Sequence, residues 1–253
     1  MSNAVYPSLS GRSVFITGGG QGIGEATVRL FAQQGAKVGF VDIADEASKV
    51  LAAELNAAGG SVTYERADIT DIEALKAAIA RIRAVQGPIT VLVNNAAHDQ
   101  RHKFFDVTPD YFDDRVAVNL KHAYFAAQTI IPDMIAAGGG TIVNLGSVSW
   151  MMGSEDLSVY ATLKSAAYGL TRVLAREFGK DNIRVNCVIP GWIMTQRQID
   201  LWLTPEGEAA IQKNQCIKRK LTPEDLAKSV LFLASEESSG MTCQQIIVDG
   251  GWV

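Results

Sequence analysis

Apolar residues recur along this chain in two alternating rhythms. Short β-branched or aromatic runs of strand character occupy residues 13–17, 37–41, 61–66, 89–93, 141–145, 183–188 and 245–248. Longer stretches with the helical period separate them. Ile23, Ala26, Leu30 and Phe31 mark one face of a helix over 22–34, and Val50, Leu51 and Leu55 mark another over 45–58, which Gly59-Gly60 ends. Further helices are predicted over 71–85, from 109 to before Gly138 in one or two pieces, over 158–178 and over 223–234. Between Gly191 and Cys216 the pattern is irregular. Strand and helix alternate with no Pro- or Ser-rich linker and no internal repeat. The expected fold class is α/β: a single domain over 1–253, with a doubly wound, seven-stranded parallel sheet and helices on both faces.

Composition narrows the function classes. At 253 residues, 47% of them hydrophobic, the chain can bury one large core, and its net charge of −4 leaves no basic footprint for nucleic acid or an anionic membrane. Cys187, Cys216 and Cys243 are far apart and odd in number. They suggest neither a disulfide framework nor a zinc knuckle, and point to a reducing cytoplasm. Residues 1–7 lack the basic region and apolar run of a signal peptide. The charge-free window 134–154 is broken by Gly138-Gly139-Gly140, so no membrane span is expected. A soluble, cytoplasmic protein with a small-molecule substrate is the expectation.

Two stretches carry chemistry. Thr17-Gly18-Gly19-Gly20-Gln21-Gly22-Ile23-Gly24 lies between the first predicted strand and the first helix. There, glycines let the backbone approach a pyrophosphate, and the helix N-terminus offers free N–H groups. Asp42 follows 18 residues after Gly24, at the end of the next strand. A carboxylate at that point accepts hydrogen bonds from both hydroxyls of an adenosine ribose and repels a 2′-phosphate. With no Arg or Lys read as standing near it, NAD is expected over NADP. The plainer reading is that Asp42 caps the helix beginning near Asp45.

On the predicted helix 158–178, Tyr160 and Lys164 are four apart and share a face. A phenol titrates near pH ~10 in isolation, and an ammonium beside it favours the phenolate. Ser147 upstream can share the proton or hold an alcohol, which gives a general acid–base site in outline. Ordinary helices carry Tyr and Lys at this spacing too; the glycine loop gives the pair its weight. His98 and His102 are also four apart but lack a third ligand, so no metal is expected. His122 reads simply as a helix residue.

Taken in order, the glycine loop, Asn94-Asn95-Ala96, Ser147, Tyr160 and Lys164 resemble the short-chain dehydrogenase/reductase family along essentially the whole chain. The resemblance implies a Rossmann fold with cofactor elements mainly in 11–145 and substrate loops near 98–104, 147–157 and 191–216. It implies Tyr160 as general base and Ser147 as the group that polarises the substrate oxygen. Lys164 would lower the Tyr160 pKa and hold the nicotinamide ribose, and Asn119 would hold a relay water. Gly18, Gln21, Gly22, Ile23, Gly24, Asp42 and Ile43 would bind the dinucleotide, with Asp68 and Ile69 at the adenine. Asn94 and Ala96 would line the cleft, while Pro190, Gly191, Ile193 and Thr195 close over the nicotinamide end. Ala97 stands where the family usually has glycine, and so does Cys243 before the last strand. The family also implies a homo-oligomer, usually a tetramer.

Within the family, Arg101-His102-Lys103, Gly146-Ser147-Val148-Ser149-Trp150 and Trp202-Leu203-Thr204-Pro205 resemble NAD-dependent sugar dehydrogenases. That implies oxidation of an aldose at C1 to the lactone, D-xylose before L-arabinose, L-fucose or D-galactose. For a sugar, Trp150 or Trp192 offers a flat apolar face, and Asp99, Gln100, Arg101 and His102 offer polar groups. Packing under a loop, or a solvated loop, are the plainer readings. The rivals are a 3-oxoacyl thioester reductase and an NAD-binding regulator without catalysis.

Overall fold

Seven strands pair in parallel in a computed structural model that describes residues 4–253. Part of the N-terminal stretch read above, residues 1–3, lies outside the described residues. The strands are β1 (Ser13–Thr17), β2 (Lys37–Asp42), β3 (Ser61–Arg66), β4 (Val91–Asn94), β5 (Gly140–Leu145), β6 (Ile183–Pro190) and β7 (Gln245–Val248). Their order across the sheet is β3-β2-β1-β4-β5-β6-β7. The chain begins in the middle, runs out to β3, and returns to lay β4 beside β1. That reversal leaves a crevice at the carboxyl ends of β1 and β4, where ligands of such sheets sit. Thr17 registers with Asn94, so the glycine loop and the β4 exit lie side by side.

Helices α1 (Gly22–Gln33), α2 (Asp45–Ala57), α3 (Ile72–Gln86), α4 (Pro109–Val116) and α5 (His122–Ala136) cross between the first five strands. They are followed by α6 (Ser149–Met152), α7 (Ser158–Phe178), α8 (Gln196–Trp202), α9 (Pro205–Asn214) and α10 (Pro223–Ala234). Side chains alternate along β1, so Val14 and Ile16 join one core with Phe31, Val230 and Leu231, while Phe15 joins the other with Ile79, Ile130 and Leu174. Both faces are therefore dry at the middle of the sheet, where β1 and β4 are buried throughout and read as short apolar runs, while the edge strands β3 and β7 keep partly exposed residues.

Several boundaries differ from the sequence reading by one or two residues, as where β2 runs on to Asp42 and β6 to Pro190. β4 opens at Val91 rather than 89, and the Ile89 N–H goes to the Asp133 carboxylate instead of a neighbouring strand. The long helix after Pro109 is divided into α4 and α5 by a π-helical turn over Ala117–Lys121, which carries Asn119. The stretch expected to be irregular holds α8 and α9. Thr195 and Thr204 begin them by accepting from Gln198 N and Gly207 N, and both helices are too short for a visible period. Cys243 adopts φ +65°, the left-handed region, which explains a glycine preference there. On α7, Leu163 is buried and Leu170 packs on the core, while Val173 is exposed. No helix among the described residues is long and apolar enough to cross a membrane.

Arg184 on β6 ties the end of α10 to the sheet. Its guanidinium donates to Ser238 Oγ at 3.0 Å and to the carbonyls of Met241, Leu233 and Ser235 at 3.2, 3.0 and 2.9 Å. Two of these carbonyls lie at the C-terminal end of α10, where a cation meets the negative end of the helix dipole. Burial pulls the Arg184 pKa down, so the four acceptors are what keep the charge inside. Arg184→Ala is expected to lower the unfolding free energy by about 3 kcal/mol, read as a lower urea midpoint at unchanged slope.

Candidate active site

The glycine loop is built for close approach. A Cβ on Gly24 would lie 1.8 Å from the Gly18 carbonyl oxygen, and Gly18 and Gly22 hold φ +67° and +59°. Only glycine allows the loop to fold back on the first turn of α1 in this way. Gln21, at the start of that helix, makes no side-chain cap bond, so the first-turn N–H groups remain for a phosphate. Asn95 clamps the loop to β4 by donating from Nδ2 to the carbonyls of Thr17 and Gly18 at 3.0 and 2.8 Å. Thr17 Oγ1 accepts from the N–H groups of both Asn95 and Ala96. Thr195 stands against Gly22, at 3.0 Å from a Cβ placed there, so the start of α8 reaches the glycine loop.

Asp42 has two tasks. Its Oδ2 accepts from Gly20 N at 2.8 Å and its Oδ1 from Ala44 N at 2.9 Å, leaving each oxygen a second lone pair for a ribose hydroxyl. The carboxylate thus braces the loop and presents its charge at the β2 end. These residues fit an adenosine dinucleotide. One expectation is corrected here: Arg66, distant in sequence, lies directly across from Asp42 in the β2–β3 register, and its charge is felt by the neighbouring Asp45 carboxyl. Asn94 is 4% exposed and turns its side chain inward, donating to Asn144 Oδ1 at 2.8 Å, which leaves its main chain for the cleft, while the Asn95 side chain meets the glycine loop. Of the residues expected at the adenine, Ile43 and Asp68 are exposed, whereas Ile69 packs in the core. Gly191 lies so close to Asp249 that a Cβ would meet its Cα at 2.5 Å, while Pro190 ends β6 and Ile193 is buried.

α7 brings Tyr160, Lys164 and Ser147 together. The Ser147 hydroxyl hydrogen-bonds the phenol and favours its ionisation, but burial and the Asp99 carboxylate outweigh it and push the Tyr160 pKa well above its ordinary value. Lys164 Nζ lies 5.8 Å from the Tyr160 ring centroid and donates to the Leu145 carbonyl at 2.9 Å. At that distance the ammonium favours the phenolate, but burial raises the phenol pKa by more. Burial also pulls Lys164 itself down to about 8. Asn119 spends its side chain on the loop after β4 and on α4: Oδ1 accepts from His98 N at 2.9 Å, and Nδ2 donates to the His98 and Arg115 carbonyls at 3.2 and 3.1 Å.

Asp99 joins the loop after β4 to α8. It accepts from Gln198 Nε2 at 2.6 Å and Arg197 Nε at 3.2 Å, and Gln198 in turn accepts from the Trp192 indole at 3.0 Å. Arg101 stacks over the Trp202 ring at 4.3 Å. His102 fastens the same loop to α7, with Nε2 at 3.1 Å from Ser158 Oγ and 3.4 Å from Val159 N. His98 and His102 lie on a loop and turn to different partners, His98 to Arg115, so the helical spacing read from sequence does not arise. Trp150 is half-buried in α6.

A family model described as enoyl-(acyl carrier protein) reductase matches residues 18–253. Over the full length of both chains, the protein is 50% identical to D-xylose 1-dehydrogenase from Caulobacter vibrioides. The chain belongs to the short-chain dehydrogenase/reductase family. It is also 44% identical to a probable galactose dehydrogenase from Rhizobium meliloti, over 99% of this chain and 98% of that one. Among solved structures, a 7α-hydroxysteroid dehydrogenase complexed with NADH and a 7-oxo bile acid superposes with a TM-score of 0.94 at 33% identity, covering 100% and 98% of the two chains. This short-chain dehydrogenase is thus an oxidoreductase of the CH–OH group. Gln198 was not singled out from its sequence, and Trp202 entered only as part of a resemblance. Both depend on α8, which leaves too short a trace in the apolar pattern to be found.

Proposed function

We propose that the protein oxidises a cyclic aldose at C1 to the aldonolactone with NAD⁺, and that D-xylose is its preferred substrate. The observation that carries this reading is the full-length likeness to D-xylose 1-dehydrogenase. The polar loop holding Asp99 and Arg101 beside the catalytic helix supports it, since a sugar needs several fixed hydrogen-bonding groups. Bound NAD⁺ supplies the hydride acceptor. Ser147 holds the C1 oxygen, and the Tyr160 phenolate takes its proton. Lys164 holds the nicotinamide ribose with a proton not used on Leu145 and stabilises the phenolate once the site is filled. With the Asn119 side chain committed to His98, a relay water would rest on the Asn119 main chain. Asp42 selects NAD by its two ribose-facing oxygens. Exposed Tyr124 and Val173, on α5 and α7, suit a homotetramer, and the free cysteines suit a cytoplasmic setting.

The likeness to a galactose dehydrogenase favours a second aldose as the alternative. Initial rates of NADH formation across D-xylose, L-arabinose, L-fucose and D-galactose, with NAD⁺ and NADP⁺ in parallel, test both. Expected is a kcat/KM for D-xylose with NAD⁺ at least about tenfold above the others. A different preferred aldose would keep the mechanism and reassign the loops; no rate with any aldose would end the sugar reading.

A further inference from the structure

A small internal cavity of about 10 Å³ adjoins the catalytic lysine, lined by Asn94, Asn119, His122, Asn144, Leu145 and Lys164. That volume is roughly one water. His122 opens α5 immediately after the π-helical turn and is 1% exposed. Neither ring nitrogen has a hydrogen-bond partner among the described residues, although the Val118 carbonyl one turn back interacts weakly with the ring. Asn94 Oδ1 is also without a partner among the described residues, because the side-chain bonds run from Nδ2 to Asn144 Oδ1 and the Ala123 carbonyl. Lys164 has three protons on Nζ and gives one to Leu145. Residues that carry two unpaired buried acceptors and a buried donor thus line one water-sized space, and buried polar atoms in native proteins are rarely left unpaired.

We infer that this cavity holds one ordered water, which accepts from Lys164 Nζ and donates to His122 and to Asn94 Oδ1, making His122 a positioning residue for the catalytic lysine. The three bonds are what an internal water usually makes. His122 can play this part because it stays neutral. Burial and the nearby Lys164 charge pull its pKa down to about 3, so one ring nitrogen remains an acceptor throughout the working range. The groups acting on Lys164 are few. Cys187 on β6 is a thiol whose burial pushes its pKa up to about 11, and Asp99 is already engaged by Arg197 and Gln198. Tyr160, on the same helix, is protonated at rest. The water therefore solvates the ammonium from within the protein, while its remaining proton is left for the ribose.

The inference rests on Lys164 acting as proposed above, and its test separates the two. Crystals of the enzyme at high resolution should show one water within hydrogen-bond distance of His122, Asn94 and Lys164. His122→Leu should remove it, lower kcat about tenfold, and move the rise of oxidation rate to higher pH, because a less stable ammonium supports the Tyr160 phenolate less. His122→Gln, which keeps an acceptor, should recover most of the rate. A dry cavity in the wild-type crystal overturns the inference whatever sugar is oxidised. So does a wild-type rate and pH profile in His122→Leu, or an equal loss in both variants with an unmoved profile, which would make His122 a packing residue only.

Discussion

Tyr160→Phe is expected to bind NAD as the wild type does and to oxidise its substrate about a thousandfold more slowly or worse. The substitution removes one oxygen and keeps the ring packing of α7. Lys164 remains anchored on the Leu145 carbonyl and the glycine loop is untouched, so cofactor titration by NADH fluorescence should give an unchanged Kd. The loss should appear in single-turnover kinetics, where the proton has no acceptor. The pH dependence sharpens the test. Burial and Asp99 raise the Tyr160 pKa, so the phenolate is scarce near neutrality and the wild-type oxidation rate should climb as pH rises. That climb should be missing from the variant. A near-normal rate would remove Tyr160 from the role of base.

Asp42→Ala is expected to weaken NAD and to shift the NAD/NADP ratio of kcat/KM by about a hundredfold toward NADP. Two effects combine. The carboxylate holds Gly20 and Ala44, so its loss loosens the loop for both cofactors. Its charge repels a 2′-phosphate, and once it is gone Arg66 stands in register across from the same position, ready for a charge-assisted bond. Asp42→Asn separates the parts, since it keeps an acceptor for the loop but removes the charge. An unchanged cofactor ratio in both variants would leave Asp42 as a backbone brace alone.

The contrast between Asp42 and Arg66 shows what the sequence makes legible. The glycine loop, Asp42, and the Tyr160–Lys164 pair each lie within one turn, one strand end or one helical repeat, so local geometry places them. Arg66 reaches Asp42 only through strand pairing, and no spacing along the chain announces it. Which of Asn94 and Asn95 turns its amide inward is decided by where β4 stops pairing, and the sequence carries no mark of it. The sequence reading of Lys164 and Tyr160 was right about their shared face. Burial, which depends on the whole packed site, could not be read from that spacing, and it moves both groups toward their neutral forms.

The β1–β4 pairing at the middle of the sheet joins residues as distant as Val14 and Val91, and the clamp of Asn95 on Gly18 exists only after that join has closed. Contacts so far apart in sequence form slowly in folding. A dinucleotide bound along this seam finds its site only in the folded chain, and would add about 2.7 kcal/mol to stability at a hundred times its Kd. The cell's dinucleotide level would then govern how long each enzyme molecule survives proteolysis, as well as how fast it works.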